Sequence, residues 1–109
     1  MTSFLKPSPE FRNGFKDPKR LAAVRKLECC ACEKLGIEQK YPTESHHLIG
    51  YGMGKKASDL LTIPLCFLHH AGGNMGDAIH ETPLKRWEER FETQQKFLEM
   101  TNRMLEHEK

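Results

Sequence analysis

Two short, matched spacings place four sulfur and nitrogen side chains where they could share a metal ion: Cys29-x2-Cys32 and Cys66-x2-His69. Two such knuckles can close a tetrahedron around one zinc, the arrangement of structural sites with no open position. A C-x-C pair is a strained way to share one tetrahedral ion, so Cys29 is the expected ligand and Cys30 a packed or partly exposed thiol. The plain alternative makes Cys66 a small buried apolar residue and the C-C-A-C run an incidental cluster. It leaves His69 and the spacing unexplained. A thiol redox role for the run lacks the βαβ pattern that would accompany it.

With those four set aside, histidines remain in excess. Glu44 to Gly50 reads ESHHLIG, Ile63 to Gly73 reads IPLCFLHHAGG, and His80 follows. His107, near the end of a charged segment, reads as a surface residue, but His46, His47, His70 and His80 are too many to be casual. Adjacent side chains on a strand point to opposite faces, so a regular strand cannot aim both His46 and His47 at one ion. A division of labour resolves this. One imidazole binds a metal that takes up charge on a phosphate and its leaving oxygen, and the other stands off the metal as general base toward water. That is a one-metal phosphodiesterase design, and neutral histidine supplies a base near working pH without much tuning.

The chain that must position these groups is 109 residues long, enough for one small domain. A domain of this size buries only about 60 to 65% of the surface its unfolded chain exposes, so a metal staple is expected. A structural zinc supplies roughly 10 to 16 kcal/mol of folding free energy at neutral pH. Apolar residues make up 38%, and 17 basic against 15 acidic side chains leave a net charge of +2. That balance permits nucleic-acid binding without arguing for it, so DNA affinity must come from local clusters. The apolar runs are too short to cross a bilayer and the N-terminal stretch lacks an apolar secretion core, so a soluble cytoplasmic protein is expected. In that reducing compartment, cysteines serve as metal ligands more readily than as disulfides.

Residues 1–16, with two prolines and no apolar periodicity, are expected to form a flexible arm, leaving 17–109 as the domain. Asp17 and Pro18 predict an N-cap and first helical position, with Leu21, Val24 and Leu27 carrying a helix to about Glu28. Its other face, with Lys19, Arg20 and Lys26, reads as solvated. The Cys29–Cys32 knuckle ends near Gly36, and a loop runs from Ile37 to Thr43. Two short strands, His46–Ile49 and Leu60–Leu65, form a hairpin around a long glycine-rich loop. LCFLHHA starts a helix that Gly72-Gly73-Asn74 interrupts within two turns. Thr82 as N-cap and Pro83 then open a long amphipathic helix to about Glu106, with Leu84, Trp87, Phe91, Phe97, Leu98, Met100, Met104 and Leu105 as its stripe.

At these residues the chain resembles the HNH, or ββα-metal, endonucleases: H-H-L-I on a first strand, a second strand, then P-L-C-x2-H-H entering a short helix. More narrowly, C-x2-C, E-x-H-H, K-x-S-D-L-L-x-I-P-L-C-x3-H and the closing Ile79-His80 with Trp87-Glu88 and Gln94 resemble the phage Ref family of recombination-enhancement nucleases. The resemblance covers roughly Asp17 to Leu105. It implies an α+β fold: a small zinc-stapled ββα-metal domain with an N-terminal helix and a long C-terminal helix. It further implies His46 as a ligand of the catalytic metal, His47 as general base, His70 and His80 as further ligands, His69 as a ligand of the structural zinc, and Asp59 in support. The implied activity is nicking or cutting of DNA to leave 5′-phosphate ends, by a phage- or prophage-encoded enzyme in the bacterial cytoplasm. DNA is the implied partner. A RecA filament is the second, although Ref proteins engage it through a long basic extension and sixteen residues precede Asp17 here.

Lys55 and Lys56, in the glycine-rich loop beside His46 and His47, are the candidate phosphate contacts. Nothing resembles a base-reading helix, so little sequence specificity is expected. An imidazole-rich site favours Zn²⁺, Ni²⁺ or Mn²⁺ by softness, whereas phosphodiester chemistry at cellular concentrations favours Mg²⁺. The last helix is expected to act as scaffold, with Trp87 and Phe91 over the zinc and hairpin layer; its wide stripe could bury itself in a second copy as a homodimer. The rival reading is a zinc-stabilised DNA- or protein-binding module without turnover. It accounts equally well for Cys29, Cys32, Cys66 and His69, and gives no reason for His46, His47, His70 and His80.

Overall fold

Asp17 opens the first helix as the sequence predicts: its side chain accepts from the Arg20 amide at 3.1 Å, and Pro18 takes the first position, where no amide hydrogen is needed. The structure, a computed structural model, describes residues 14–50, 57–72 and 77–107. Most of the expected arm, and both Lys55 and Lys56, lie outside the described residues. Helix α1 covers Pro18–Arg25 and stops short of Glu28. Its Arg20 is not on a solvated face. The guanidinium donates to Thr62 Oγ1 (3.2 Å), to the Thr62 carbonyl (2.8 Å) and to Asn102 Oδ1 (2.6 Å), tying the helix to the sheet and to the far end of the chain.

A second short helix, α2, covers Cys30–Leu35 and ends on Gly36, whose φ of 69° is the left-handed conformation glycine adopts most readily. The amides of Gly36 and Ile37 turn back onto the carbonyls of Glu33 and Cys32, closing the helix end.

Strands β1 (Thr43–His47) and β2 (Thr62–Cys66) pair antiparallel, with Thr43 opposite Cys66 and His47 opposite Thr62. Both lie displaced from the stretches the apolar pattern suggested. β1 starts at Thr43 and ends at His47, while Leu48 and Ile49 follow it, because polar Thr43 and Glu44 fill the register opposite Cys66 and Leu65. Pro64 interrupts nothing, since a two-stranded sheet leaves β2 an edge where no amide donor is required. Helix α3 (Phe67–His70) begins directly after β2. At Gly72 a Cβ would lie 2.8 Å from the Phe67 carbonyl oxygen and 2.9 Å from its ring, so only glycine lets the chain leave so sharply.

The expected long helix is three pieces. A 3-10 turn spans Ile79–Glu81, α4 spans Leu84–Arg90, and α5 spans Gln94–His107. Pro83, not Thr82, is the capping residue of α4. The break at Phe91–Thr93 has a local cause: the Thr93 hydroxyl accepts from the Lys96 amide at 3.1 Å, capping a new helix. Trp87, Phe91, Phe97 and Leu98 then pack with Leu48, Ile63, Leu65 and Ile79 into the core that also encloses Cys29, Cys30, Cys32 and Cys66. Burying each large apolar side chain contributes on the order of 1.5 to 3 kcal/mol. The whole is a small mixed α+β arrangement, and no helix among the described residues is long and apolar enough to cross a membrane.

Candidate functional site

The sulfur-lined cluster is assembled from two helix starts. Cys29 is the N-cap of α2, and its sulfur accepts the Cys32 amide at 3.4 Å. Cys66 ends β2, and His69 sits one turn further on in α3. The ligand atoms of Cys29, Cys32, Cys66 and His69 all lie within 4.8 Å of one another, and all four residues are buried. His69 Nδ1 is 3.6, 3.5 and 3.3 Å from the sulfurs of Cys29, Cys32 and Cys66, and the last two sulfurs are 3.8 Å apart. A tetrahedral zinc with Zn–S of about 2.3 Å and Zn–N of about 2.0 to 2.1 Å requires S···S edges near ~3.8 Å and S···N edges near ~3.6 Å. The residues fit the ion.

Electrostatics agrees with that fit. Burial, then repulsion from Cys29 and Cys66, pushes the Cys32 thiol well up, and burial does the same to Cys29. Cys29 and Cys32 are thus poor thiolates without a cation and good ligands with one. Burial holds the His69 imidazole in its neutral, ligating form. Cys30 stands outside the four, packed in the core. Gln39, which sequence reasoning left in a loop, locks the knuckle to the sheet: it accepts from the Cys29 amide at 2.7 Å and donates to Thr43 Oγ1 at 2.8 Å.

A second cluster is lined by nitrogen. One ring nitrogen from each of His46, His70 and His80 lies within 4.8 Å of the other two, with ring centroids 4.8 to 5.2 Å apart. β1 supplies His46, α3 supplies His70, and the 3-10 turn supplies His80, despite the insertion between the last two. His70 Nδ1 bonds Glu44 Oε1 at 2.7 Å, which leaves Nε2 as the ring nitrogen open to an ion and makes Glu44 the carboxylate behind a would-be metal ligand. Burial, opposed in part by the hydrogen bond to Gln94, pushes His46 down to about 3, so it stays neutral throughout the range where proteins work.

His47 points the other way, as strand alternation demands. Its Nε2 is 2.7 Å from Asp59 Oδ1. The Asp59 carboxylate also accepts the Asp17 amide at 2.7 Å, and the Asp59 amide donates to the Phe15 carbonyl at 3.0 Å. Burial alone would raise the Asp59 carboxyl, but the bonds from His47 and the Asp17 amide outweigh it and hold it below the usual range. Asp59 is therefore a charged, fixed partner of His47. Chemically, the arrangement offers three clustered imidazole nitrogens for a divalent ion and, on the other face of β1, an imidazole with one nitrogen held by a carboxylate.

Sequence reasoning named every residue of both clusters and missed those that hold them: Glu44, Gln39, Gln94 and Arg20. Glu44 had a signal, standing two residues before His46 on the same strand face. Gln94 stood in the closing motif, but nothing pointed to its role, forty-eight residues from the side chain it meets.

No solved structure matches the chain. It is 42% identical over 73 residues to the uncharacterized protein YdfU of Escherichia coli (strain K12), a match covering 57% of this chain and 20% of that protein. The chain thus spans about a fifth of that relative's length. Residues 2–107 match the family described as protein of unknown function (DUF968), and the chain belongs to that family.

Proposed function

We propose that the chain is a metal-dependent DNA endonuclease of the HNH, or ββα-metal, type, nearest in its motifs to the Ref nucleases. The observation that carries the reading is the nitrogen-lined cluster of His46, His70 and His80, formed of other residues than the sulfur-lined one, with the neighbouring His47 paired to Asp59 on the opposite face of β1. The order antiparallel hairpin then short helix, with Cys66, His69 and His70 at the junction, supports the ββα assignment.

In this reading Asp59 accepts the Nε2–H of His47, leaving Nδ1 to take a proton from the attacking water. The carboxylate then stabilises the imidazolium as it forms, in the manner of the third member of a hydrolase triad. His46, His70 and His80 hold a divalent ion that, when bound, neutralises charge on the phosphate and leaving oxygen. Products with 5′-phosphate ends, a cytoplasmic site of action and contact with a RecA filament come with the resemblance. A homodimer through α5 has less apolar surface to use than its stripe suggests, since Leu98 is buried and Met100, Met104 and Leu105 are half-buried within one chain.

The test is nicking of supercoiled plasmid and single-stranded DNA with Mg²⁺, Mn²⁺, Ni²⁺ or Zn²⁺, comparing wild type, His47→Ala and Cys66→Ser. His47→Ala loses cleavage with fold and zinc content intact, whereas Cys66→Ser releases zinc and unfolds. A folded, zinc-loaded wild type that cuts neither DNA with any of these ions returns the chain to the class of binding modules.

A further inference from the structure

Gln94, the first residue of α5, is 3% exposed and joins three separate parts of the fold. Its backbone amide donates to Glu88 Oε2 at 2.8 Å. Its side-chain Nε2 donates to the Ile49 carbonyl at 3.0 Å, while Oε1 accepts the Ile49 amide at 2.9 Å and faces His46 Nε2 at 3.1 Å. The two bonds to one backbone residue decide which end of the amide is oxygen: inverted, it would set donor against donor and acceptor against acceptor. An oxygen can only accept. His46 Nε2 must therefore carry the proton, and the lone pair is left on Nδ1, which is buried and has no hydrogen-bond partner among the described residues. An orphaned buried nitrogen of this kind is costly unless a ligand completes it.

We propose that Gln94 is a positioning residue that locks His46 in its Nε2–H tautomer and so assigns Nδ1 as the metal-binding atom. The inference rests on reading His46, His70 and His80 as a metal site. It gives the site an asymmetry: His46 ligates through Nδ1 with an amide behind it, His70 through Nε2 with the Glu44 carboxylate behind it. The start of α5, remote in sequence, becomes part of the machinery that aims the site.

Two measurements test this. In zinc-loaded protein without a second ion, long-range ¹H–¹⁵N correlation of the histidine rings should show His46 Nε2 protonated and Nδ1 as an unprotonated, pyridine-like nitrogen. Calorimetric titration of that protein with Co²⁺ should then show a second binding event, weakened about 10- to 100-fold in Gln94→Met, where nothing accepts from Nε2, with loss of the single tautomer. Gln94→Glu, which keeps an acceptor for both His46 and the Ile49 amide but sets its second oxygen against the Ile49 carbonyl, should restore tautomer and affinity at a cost in stability. A wild-type His46 protonated on Nδ1, or a folded Gln94→Met with unchanged tautomer and Co²⁺ affinity, overturns the proposal. A wild type with the expected tautomer that binds no second Co²⁺ overturns the metal-site reading, and the ligand assignment with it. If Gln94→Met does not fold, the wild-type tautomer and Gln94→Glu decide.

Discussion

Replacing Asp59 with asparagine removes one charge and almost no volume, which makes it a sharp probe of the His47–Asp59 pair. The carboxylate is 4% exposed and bonded to His47 at 2.7 Å, which puts the centres of charge about 4 Å apart once the ring is protonated. At an effective dielectric near 20 that separation gives about 4 kcal/mol of attraction, a stabilisation felt only as the imidazolium forms. Losing it should slow the chemical step about 10³-fold. Asparagine also cannot accept from both His47 and the Asp17 amide: with its oxygen kept on Asp17, its NH2 donates to His47 Nε2, which moves the ring proton to Nδ1 and removes the base without breaking either contact. The assay is single-turnover plasmid nicking at saturating Mn²⁺, with melting temperature and zinc content measured on the same preparations. A folded, zinc-loaded Asp59→Asn protein slowed less than about tenfold would refute the electrostatic role and leave Asp59 as a structural anchor for the segment before α1.

Two further outcomes follow from buried contacts. His46, pushed down to about 3 by burial, binds fewer protons folded than unfolded, where a histidine titrates near ~6.5. Its contribution is therefore lost as pH falls below that unfolded value: with only the structural zinc bound, wild type should lose roughly 1.5 to 2 kcal/mol more than His46→Leu between about pH 6.5 and 5 in urea denaturation, and parallel curves would mean His46 is not held neutral. Gly72→Ala places a methyl group 2.8 Å from the Phe67 carbonyl oxygen and should lower stability by about 1 to 3 kcal/mol, loosening α3 and weakening zinc retention against a chelator; an unchanged melting temperature would show that α3 ends differently.

The ligands were legible because metal chemistry restricts residue type and spacing so tightly that Cys29-x2-Cys32 and Cys66-x2-His69 stand out without a structure. Asp17 and Pro18 were legible for a similar reason, since capping is a local bargain between neighbours. The strands were displaced by one to three residues because apolar pattern was used where pairing decides: Thr43 and Glu44 belong to β1 through their partners Cys66 and Leu65. The division of the last helix hid behind an uninterrupted apolar stripe. Thr93 was the signal, a hydroxyl able to cap a helix in the middle of what periodicity makes one element. The roles of Arg20 and Gln94 could not be read, because their side chains act on residues brought near only by the finished fold.

Helix α3 is four residues long, and two consecutive members of it, His69 and His70, face different clusters. A rotation of that single turn that improved one set of distances would spoil the other. Under the proposed reading, hydrolysis is therefore hostage to the sulfur cage: a cell short of zinc, or an oxidant reaching Cys32 or Cys66, would silence cleavage without touching any group that handles DNA.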